Sequence, residues 1–405
     1  MKWNEVPLKD LCLKIGSGAT PKGGNTVYIS KGVSLIRSQN VYNLSFDYSG
    51  LVYINDEASE KLRNVTVEKD DVLINITGDS VARTCIVPNQ VLPARVNQHV
   101  AILRANSKIL NPHYLNYYLA SPYMQSYMLN LAVGKGASRN AMTKVMLENF
   151  TIPLPQLPIQ QRIALILSRY DDLIENYQQQ IKLLEEAAQR LYKEWFVDLH
   201  FPGYENTKIV DGVPEGWEKE AVSSILRLLS GYAFKSSTFE SDGKYKIVTI
   251  KNVQDNNFET NNTNTILEIP SAMPLHCILK TGDILLSLTG NVGRSCVVVG
   301  DNFLLNQRVA KVQTNYPMYV HCLFHNREFY LEMCNLANGA AQLNLSPIKT
   351  EGIKVLIPSK QIICEFEQLI DPLFNKKICL YKSITLLTEA RDRLLPKLMN
   401  GEIEV

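Results

Sequence analysis

The chain repeats itself, and that constrains its fold more than any other feature, because a repeated sequence must build the same unit twice. Trp3 pairs with Trp217, Ser17-Gly18 with Ser230-Gly231, Asn40-Val41 with Asn252-Val253, and Thr77-Gly78 with Thr289-Gly290. Arg83-Thr84-Cys85 matches Arg294-Ser295-Cys296, and Asn97-Gln98 matches Asn306-Gln307. Further on, Gly136-Ala137 meets Gly339-Ala340, Pro155 meets Pro358, and Glu186-Ala187 meets Glu389-Ala390. The offset between partners falls in one direction, from 214 at Trp3 through 211 at Arg83 to 203 at Gly136. Chance matches would scatter both ways. A steady drift is the trace of a duplication followed by small loop deletions.

Each copy has two parts of different character. Residues 1–157 and 203–358 alternate short β-rich runs with turn signals. Asp71-Val72-Leu73-Ile74-Asn75-Ile76-Thr77-Gly78 and its twin Asp283-Ile284-Leu285-Leu286-Ser287-Leu288-Thr289-Gly290 both read as a strand that ends at a glycine-punctuated loop. Shorter helical stretches follow around 112–131 and 317–336, which makes these parts globular α+β domains. The remainders, 158–202 and 359–405, read as long helices. From Ile163 the apolar positions step by four and three through Leu167, Tyr170, Ile174, Tyr177, Ile181, Leu184, Ala188, Leu191 and Trp195. The second seam runs Phe366, Ile370, Leu373, Lys377, Leu380, Ile384, Leu387, Arg391, Leu394 and Leu398, apolar at eight of ten positions. Such heptad seams bury themselves most simply against each other. At 1.5 Å per residue each helix is about 50 Å long. Pro372 predicts a helix start or a kink, since it cannot donate an intrahelical bond. The expected architecture is two pseudo-twofold-related domains joined and spaced by an antiparallel coiled coil; the competing arrangement packs each helix on its own domain.

The chain has 405 residues, 45% apolar and 20% charged, which excludes disordered, collagen-like and disulfide-scaffold proteins. No signal-like amino terminus and no run near the roughly 20 apolar residues of a membrane span is found, so a soluble cytoplasmic protein is expected. The eight cysteines include no Cys-x-x-Cys pair and read as reduced and mostly buried. His321 and His325, with Cys322 and Cys334 nearby, have helical spacing for a metal. Their duplicate positions hold Asn116 and Ala120, so they are expected to be two helix-surface histidines, and no metal is expected.

Two similar heads on a fixed spacer suit a target that is itself bipartite, such as double-stranded DNA with two separated half-sites. Residues 1–158 hold 16 basic and 11 acidic side chains, and residues 203–358 hold 14 and 15. A stand-alone DNA binder is normally more basic, because phosphate neutralisation supplies much of the affinity. A partner is therefore expected to make many of the phosphate contacts. Candidate DNA-binding residues lie in matched loops. Arg37, Ser38, Gln39 and Asn40 face Thr249, Lys251 and Asn252. Thr77, Asp79 and Arg83 face Thr289, Asn291 and Arg294. Arg95, Asn97 and Gln98 lie opposite Asn306, Gln307 and Arg308, while Lys135, Arg139 and Asn140 lie opposite Gln342 and Leu343. Arginine pairs bidentately with guanine, and asparagine or glutamine with adenine. Heads that read different half-sites must differ where they touch bases. Arg37, Arg139 and Asn140, against Thr249, Gln342 and Leu343, are thus the expected base readers, and shared Asn97 and Asn306 are structural or phosphate-contacting.

Catalytic signatures are missing. Asn111-Pro112-His113-Tyr114 lacks the second proline of the loop that holds a flipped adenine in amino-methyltransferases, and its duplicate reads Tyr316-Pro317-Met318-Tyr319. Gly134-Lys135-Gly136 lacks phosphate-loop spacing, and no serine sits in a nucleophile elbow. The chain is expected to have no catalytic residue and no cofactor of its own. Besides a DNA-recognition subunit, a self-sufficient repressor-like pseudo-dimer and a protein-binding scaffold fit these residues.

Taken in order and found twice, the motifs resemble the specificity (S) subunit of Type I restriction–modification systems. The likeness is carried by Leu191-Tyr192-Lys193-Glu194-Trp195-Phe196-Val197-Asp198, by Asp211-Gly212-Val213-Pro214-Glu215-Gly216-Trp217, and by Ile152-Pro153-Leu154-Pro155 with Gln160-Gln161-Arg162-Ile163. The Thr-Gly…Arg loops and Asn338-Gly339-Ala340 with Leu345-Ser346 add to it. The resemblance implies that 1–157 and 203–358 are target-recognition domains, each reading half of a split DNA sequence. It implies that the helices set the half-site distance and dock two methyltransferase subunits, which carry S-adenosylmethionine and methylate adenine. A motor-nuclease subunit would complete a restriction complex. Lys377 and Arg391 in the second seam depart from a plain coiled coil, and read as snorkelling stems or as contacts to a partner.

Overall fold

Alternation of side chains along buried strands organises the first unit of the computed structural model, which describes residues 3–133, 140–260, 263–339 and 343–405. The strand Val72–Asn75 is buried at every position. Val72 and Ile74 enter one core with helices Pro112–Ala120 and Pro122–Ala132, whereas Leu73 enters another. Val100–Ala105 behaves alike, with Ala101 and Leu103 on the helix side and Val100 and Ile102 on the other. Both faces of this sheet are therefore covered, which is why its strands read as continuous apolar runs. The sheet has the order Thr84–Ile86, Val72–Asn75, Val100–Ala105, Cys12–Ser17 and is antiparallel. Its second face packs on a five-stranded sheet in which Val33–Ile36 runs parallel to Ala94–Val96. A short ribbon, Glu5–Pro7 with Thr151–Pro153, closes the unit beside the start of the central helix.

The second unit repeats this plan. Ser295–Val297, Ile284–Ser287, Val309–Thr314 and Leu226–Ser230 form the four-stranded sheet in the same order. Tyr245–Val248 runs parallel to Phe303–Leu305, and Glu218–Ala221 pairs with Lys354–Ile357. Helices Pro317–Phe324 and Arg327–Leu336 take the places of the first unit's pair. Two matched glycines explain one of the repeated motifs. A Cβ on Gly18 would lie 2.0 Å from Val96 O, and one on Gly231 would lie 2.2 Å from Asn306 O, so neither site admits a side chain.

The central helix spans Leu157–Tyr192 and the C-terminal helix Lys360–Met399. Contacts divide the chain into 1–175 with 386–405, and 176–385, so each helix contributes one end to each unit. In the first unit, Ile163 and Leu167 share a core with Leu394, Leu395 and Leu398. In the second, Ile181 lines one cavity with Tyr381 and Ile384, Ala188 lines another with Ile370, and the Tyr192 ring lies 6.1 Å from that of Phe366, an antiparallel order. Three expectations are corrected. Pro372 does not start its helix, which begins at Lys360 and runs through it. The central helix stops short of 202: a π-turn, Lys193–Val197, is followed by Leu199 at φ +61 and by Pro202. This turn places Trp195 and Phe196 among Tyr192, Trp217, Tyr319 and Phe366. The seam cations, finally, are neither snorkelling nor held for a partner. Lys377 is 4% exposed with Nζ 2.6 Å from Glu185 Oε1, at ion-pair distance but off the hydrogen-bond direction. Arg391 Nη1 donates to Asp171 Oδ1 at 2.6 Å. Each charge is answered by an acid on the facing helix.

Candidate nucleic-acid interface

Loops far apart in sequence meet at one end of each four-stranded sheet. In the first unit Asn75, buried at its strand's end, donates from its amide to Ser38 O at 2.8 Å and Val41 O at 3.3 Å. Thr77 Oγ1 is hydrogen-bonded to His99 Nδ1 at 2.6 Å, and Gly78 N donates to Asn140 O at 3.0 Å. Leu44 N donates to Thr84 O at 2.9 Å. These bonds gather the candidates at 37–40, 77–83, 97–98 and 140. The second unit does the same with different side chains. Asn306 N donates to Val248 O and Leu288 N to Arg308 O, both at 3.0 Å, and Gly290 N donates to Leu343 O at 2.9 Å. Gly78 at φ +75 and Gly290 at φ +74 supply the left-handed turn that both copies need.

Within each cluster the side chains divide into those that hold the loops and those that face solvent. Asn40 is fully buried; its Oδ1 accepts from Arg37 N at 3.0 Å and its amide donates to Asp47 O at 2.9 Å and Ser49 O at 3.2 Å. Asn252, 1% exposed, accepts from Thr249 N at 2.8 Å and donates to Glu259 O at 2.9 Å. Asn97 accepts from His99 N at 3.1 Å, and Asn306 from Arg308 N at 3.4 Å. Arg95 is buried, donates to Ser59 O and Ala94 O, and has its pKa lowered by that burial. Thr289, also buried, donates to Asn344 Oδ1 at 2.9 Å. The sequence placed Asn40, Asn252, Arg95 and Thr289 on DNA; in the fold their polar atoms close loops, because a buried group must find a partner within the protein. Arg37, an expected base reader, is half-buried and braces the neighbouring loop by donating from Nη2 to Gly50 O at 2.6 Å.

Gln39, Asp79 and Gln98 in the first unit, and Lys251, Asn291, Gln307 and Arg308 in the second, are exposed. Ser38, Thr77, Arg83, Asn140, Thr249, Arg294 and Asn306 are half-buried at the same loops. Lys135, Arg139 and Gln342 lie outside the described residues. Sequence reasoning missed the hairpins that carry the loops, 41–46 and 253–258. Each pairs a valine with a phenylalanine, Val41 with Phe46 and Val253 with Phe258, around a left-handed residue, Leu44 at φ +60 and Asn256 at φ +58. The matching spacing of valine and phenylalanine after the shared asparagine was the available signal. Tyr42 stands exposed on the first hairpin, and Tyr48 stands exposed just beyond it.

His321 is 7% exposed and the His325 side chain 8%, which corrects the surface expectation for both. No group of histidine, cysteine or acidic residues able to hold a metal occurs among the described residues. No helix among them is long and apolar enough to cross a membrane.

The family profile described as Type I restriction modification DNA specificity domain matches residues 1–186 and 214–379. The MjaIX specificity subunit of a Type I restriction enzyme from Methanocaldococcus jannaschii is 26% identical, covering all of this chain and 94% of its own length. The HindI specificity subunit from Haemophilus influenzae is 24% identical over 99% of each chain. The crystal structure of a Type I restriction–modification S subunit from M. genitalium shares the fold, with TM-score 0.56 and 15% identity over 98% of this chain and 96% of that one. With the family profile covering most of both copies, the chain belongs to the Type I restriction–modification DNA specificity family and is a specificity subunit with two DNA-recognition domains.

Proposed function

We propose that each unit reads one half of a split double-stranded DNA site through its converged loops, and that the paired helices fix the number of base pairs between the halves. The carrying observation is the division of labour inside the two clusters. The buried asparagines that shape the loops are shared, whereas several exposed positions around them differ: Gln39 faces Lys251, and Asp79 faces Asn291. A common frame with divergent solvent-facing groups suits two modules that read different bases.

In this reading the chain is non-catalytic and works in the cytoplasm on chromosomal DNA. Two methyltransferase subunits dock on it, bring S-adenosylmethionine and methylate adenine in each half-site; a motor-nuclease subunit adds cleavage of unmodified DNA. The modest charge of the heads supports the sharing of phosphate contacts with those partners.

The test is the methylated motif of the complex carrying Gln39→Ala or Lys251→Ala. Each substitution is expected to relax one half of the motif and leave the other intact. Equal relaxation of both halves by either variant would contradict the assignment of one half-site to each unit.

A further inference from the structure

The shared arginine of each cluster, Arg83 and Arg294, sits on the same backbone. Asn75 N donates to Arg83 O and Ser287 N to Arg294 O, each at 2.9 Å. A left-handed residue precedes each one, Ala82 at φ +73 and Gly293 at φ +80. The side chains are held by one matched position, two residues after the buried asparagine, and there the copies diverge. In the first unit the Arg83 guanidinium carbon lies 4.5 Å from the centroid of the Tyr42 ring. In the second, Arg294 Nη1 donates to Gln254 Oε1, while the Gln254 amide donates to Lys251 O at 2.8 Å.

These two holds leave different chemistry facing outward. Stacking engages only the face of a guanidinium, so its N–H donors stay in one plane and free. Arg83 makes no side-chain hydrogen bond to another described residue. Arg294 has one nitrogen committed to a glutamine that is itself tied to the backbone. We propose that Tyr42 and Gln254 are positioning residues that set what the shared arginine presents: an unencumbered bidentate fork in the first unit and a tethered, partly engaged guanidinium in the second. The fork matches a pair of acceptors about 2–3 Å apart, which DNA supplies as guanine O6 and N7 or as two phosphate oxygens. This inference rests on the DNA-reading role of the loop clusters and names how one residue type is used differently in two copies.

The experiment uses the full chain complexed with its methyltransferase subunits, on duplexes carrying its methylation motif and every single-base replacement of it, over a range of salt. Tyr42→Ala is expected to lower affinity roughly three- to thirty-fold, and Tyr42→Phe to keep it, since the ring face is retained. In a double-mutant cycle, Tyr42→Ala with Arg83→Ala should be no worse than Arg83→Ala alone. A guanine contact appears as loss of discrimination at one base pair; a phosphate contact appears as uniform loss with a salt slope reduced by about 1. Either pattern, shared by the Tyr42 and Arg83 variants, supports the positioning role. Additive losses, or a Tyr42→Phe loss as large as that of Tyr42→Ala, overturn it. Tyr42 is 40% exposed, so its truncation leaves the core intact, and Tyr42→Gln, which places the second unit's glutamine at this position, should lower affinity as Tyr42→Ala does. If the unaltered complex binds all duplexes alike, the DNA-reading role itself falls and this inference with it; if it discriminates but Tyr42 is irrelevant, only this inference falls.

Discussion

Thr84 Oγ1 donates to Asn116 Oδ1 at 3.1 Å in the core of the first unit. The second copy puts Ser295 and His321 at these positions, and there Ser295 Oγ and His321 Nδ1 are buried with no hydrogen-bond partner among the described residues. Burial, with Lys377 and His325 adding to it, holds the His321 pKa well below its ordinary 6.5. The folded chain therefore keeps this imidazole neutral while the unfolded chain takes up a proton. Since the unfolded state binds more protons, stability falls as pH drops below about 6.5 and is unaffected by this group above it. Thermal melts across pH 7.5 to 5 should show that fall, and His321→Asn should flatten it while restoring the pair seen in the first unit. A melting curve for His321→Asn with the unaltered pH dependence would exclude His321 as its source. The duplication exposed His321 as unpaired with a metal-binding twin, but its burial was not legible, because spacing along one helix does not show which neighbours close over its face. Asn40 and Asn252 teach the same limit. Their residue type suits base reading, yet only the fold reveals that every polar atom is used to shape a loop.

The long helices show what periodicity does reveal at the scale of an element. All ten seam positions of each helix are buried or half-buried. The seam was legible because a stripe at heptad spacing has few other ways to leave water. The register was not, since apolar contacts are non-directional; it is marked by Glu185 with Lys377 and by Asp171 with Arg391. Removing one partner of a buried pair strands the other charge. Lys377→Ala should thus cost about 3–5 kcal/mol in denaturant unfolding, and Lys377→Met with Glu185→Leu should recover most of it. A double variant no more stable than Lys377→Ala would show that the pair contributes more than relief of an unpaired acid. Pro372 does not mark a helix start, because a 40-residue helix packed along its seam tolerates one missing bond.

For the whole molecule, the duplication carried the fold class, the order of elements and the matched loops, since two copies of one sequence must share a topology. The half-site distance follows from the spacer in the proposed function. One heptad inserted in each helix, after Gln178 and after Ile384, adds about 10 Å of helix, or roughly three base pairs at 3.4 Å each. The methylated motif of that variant should keep both halves and widen its gap; an unchanged gap would deny the helices their spacing role. The most direct test of the central claim is a base-resolution map of adenine methylation in the source cell, with and without this gene, while the proposed methyltransferase subunit is verified to be present. A specificity subunit with two DNA-recognition domains predicts the loss of one two-part adenine motif and of no other. A map that stays the same under those conditions would contradict it.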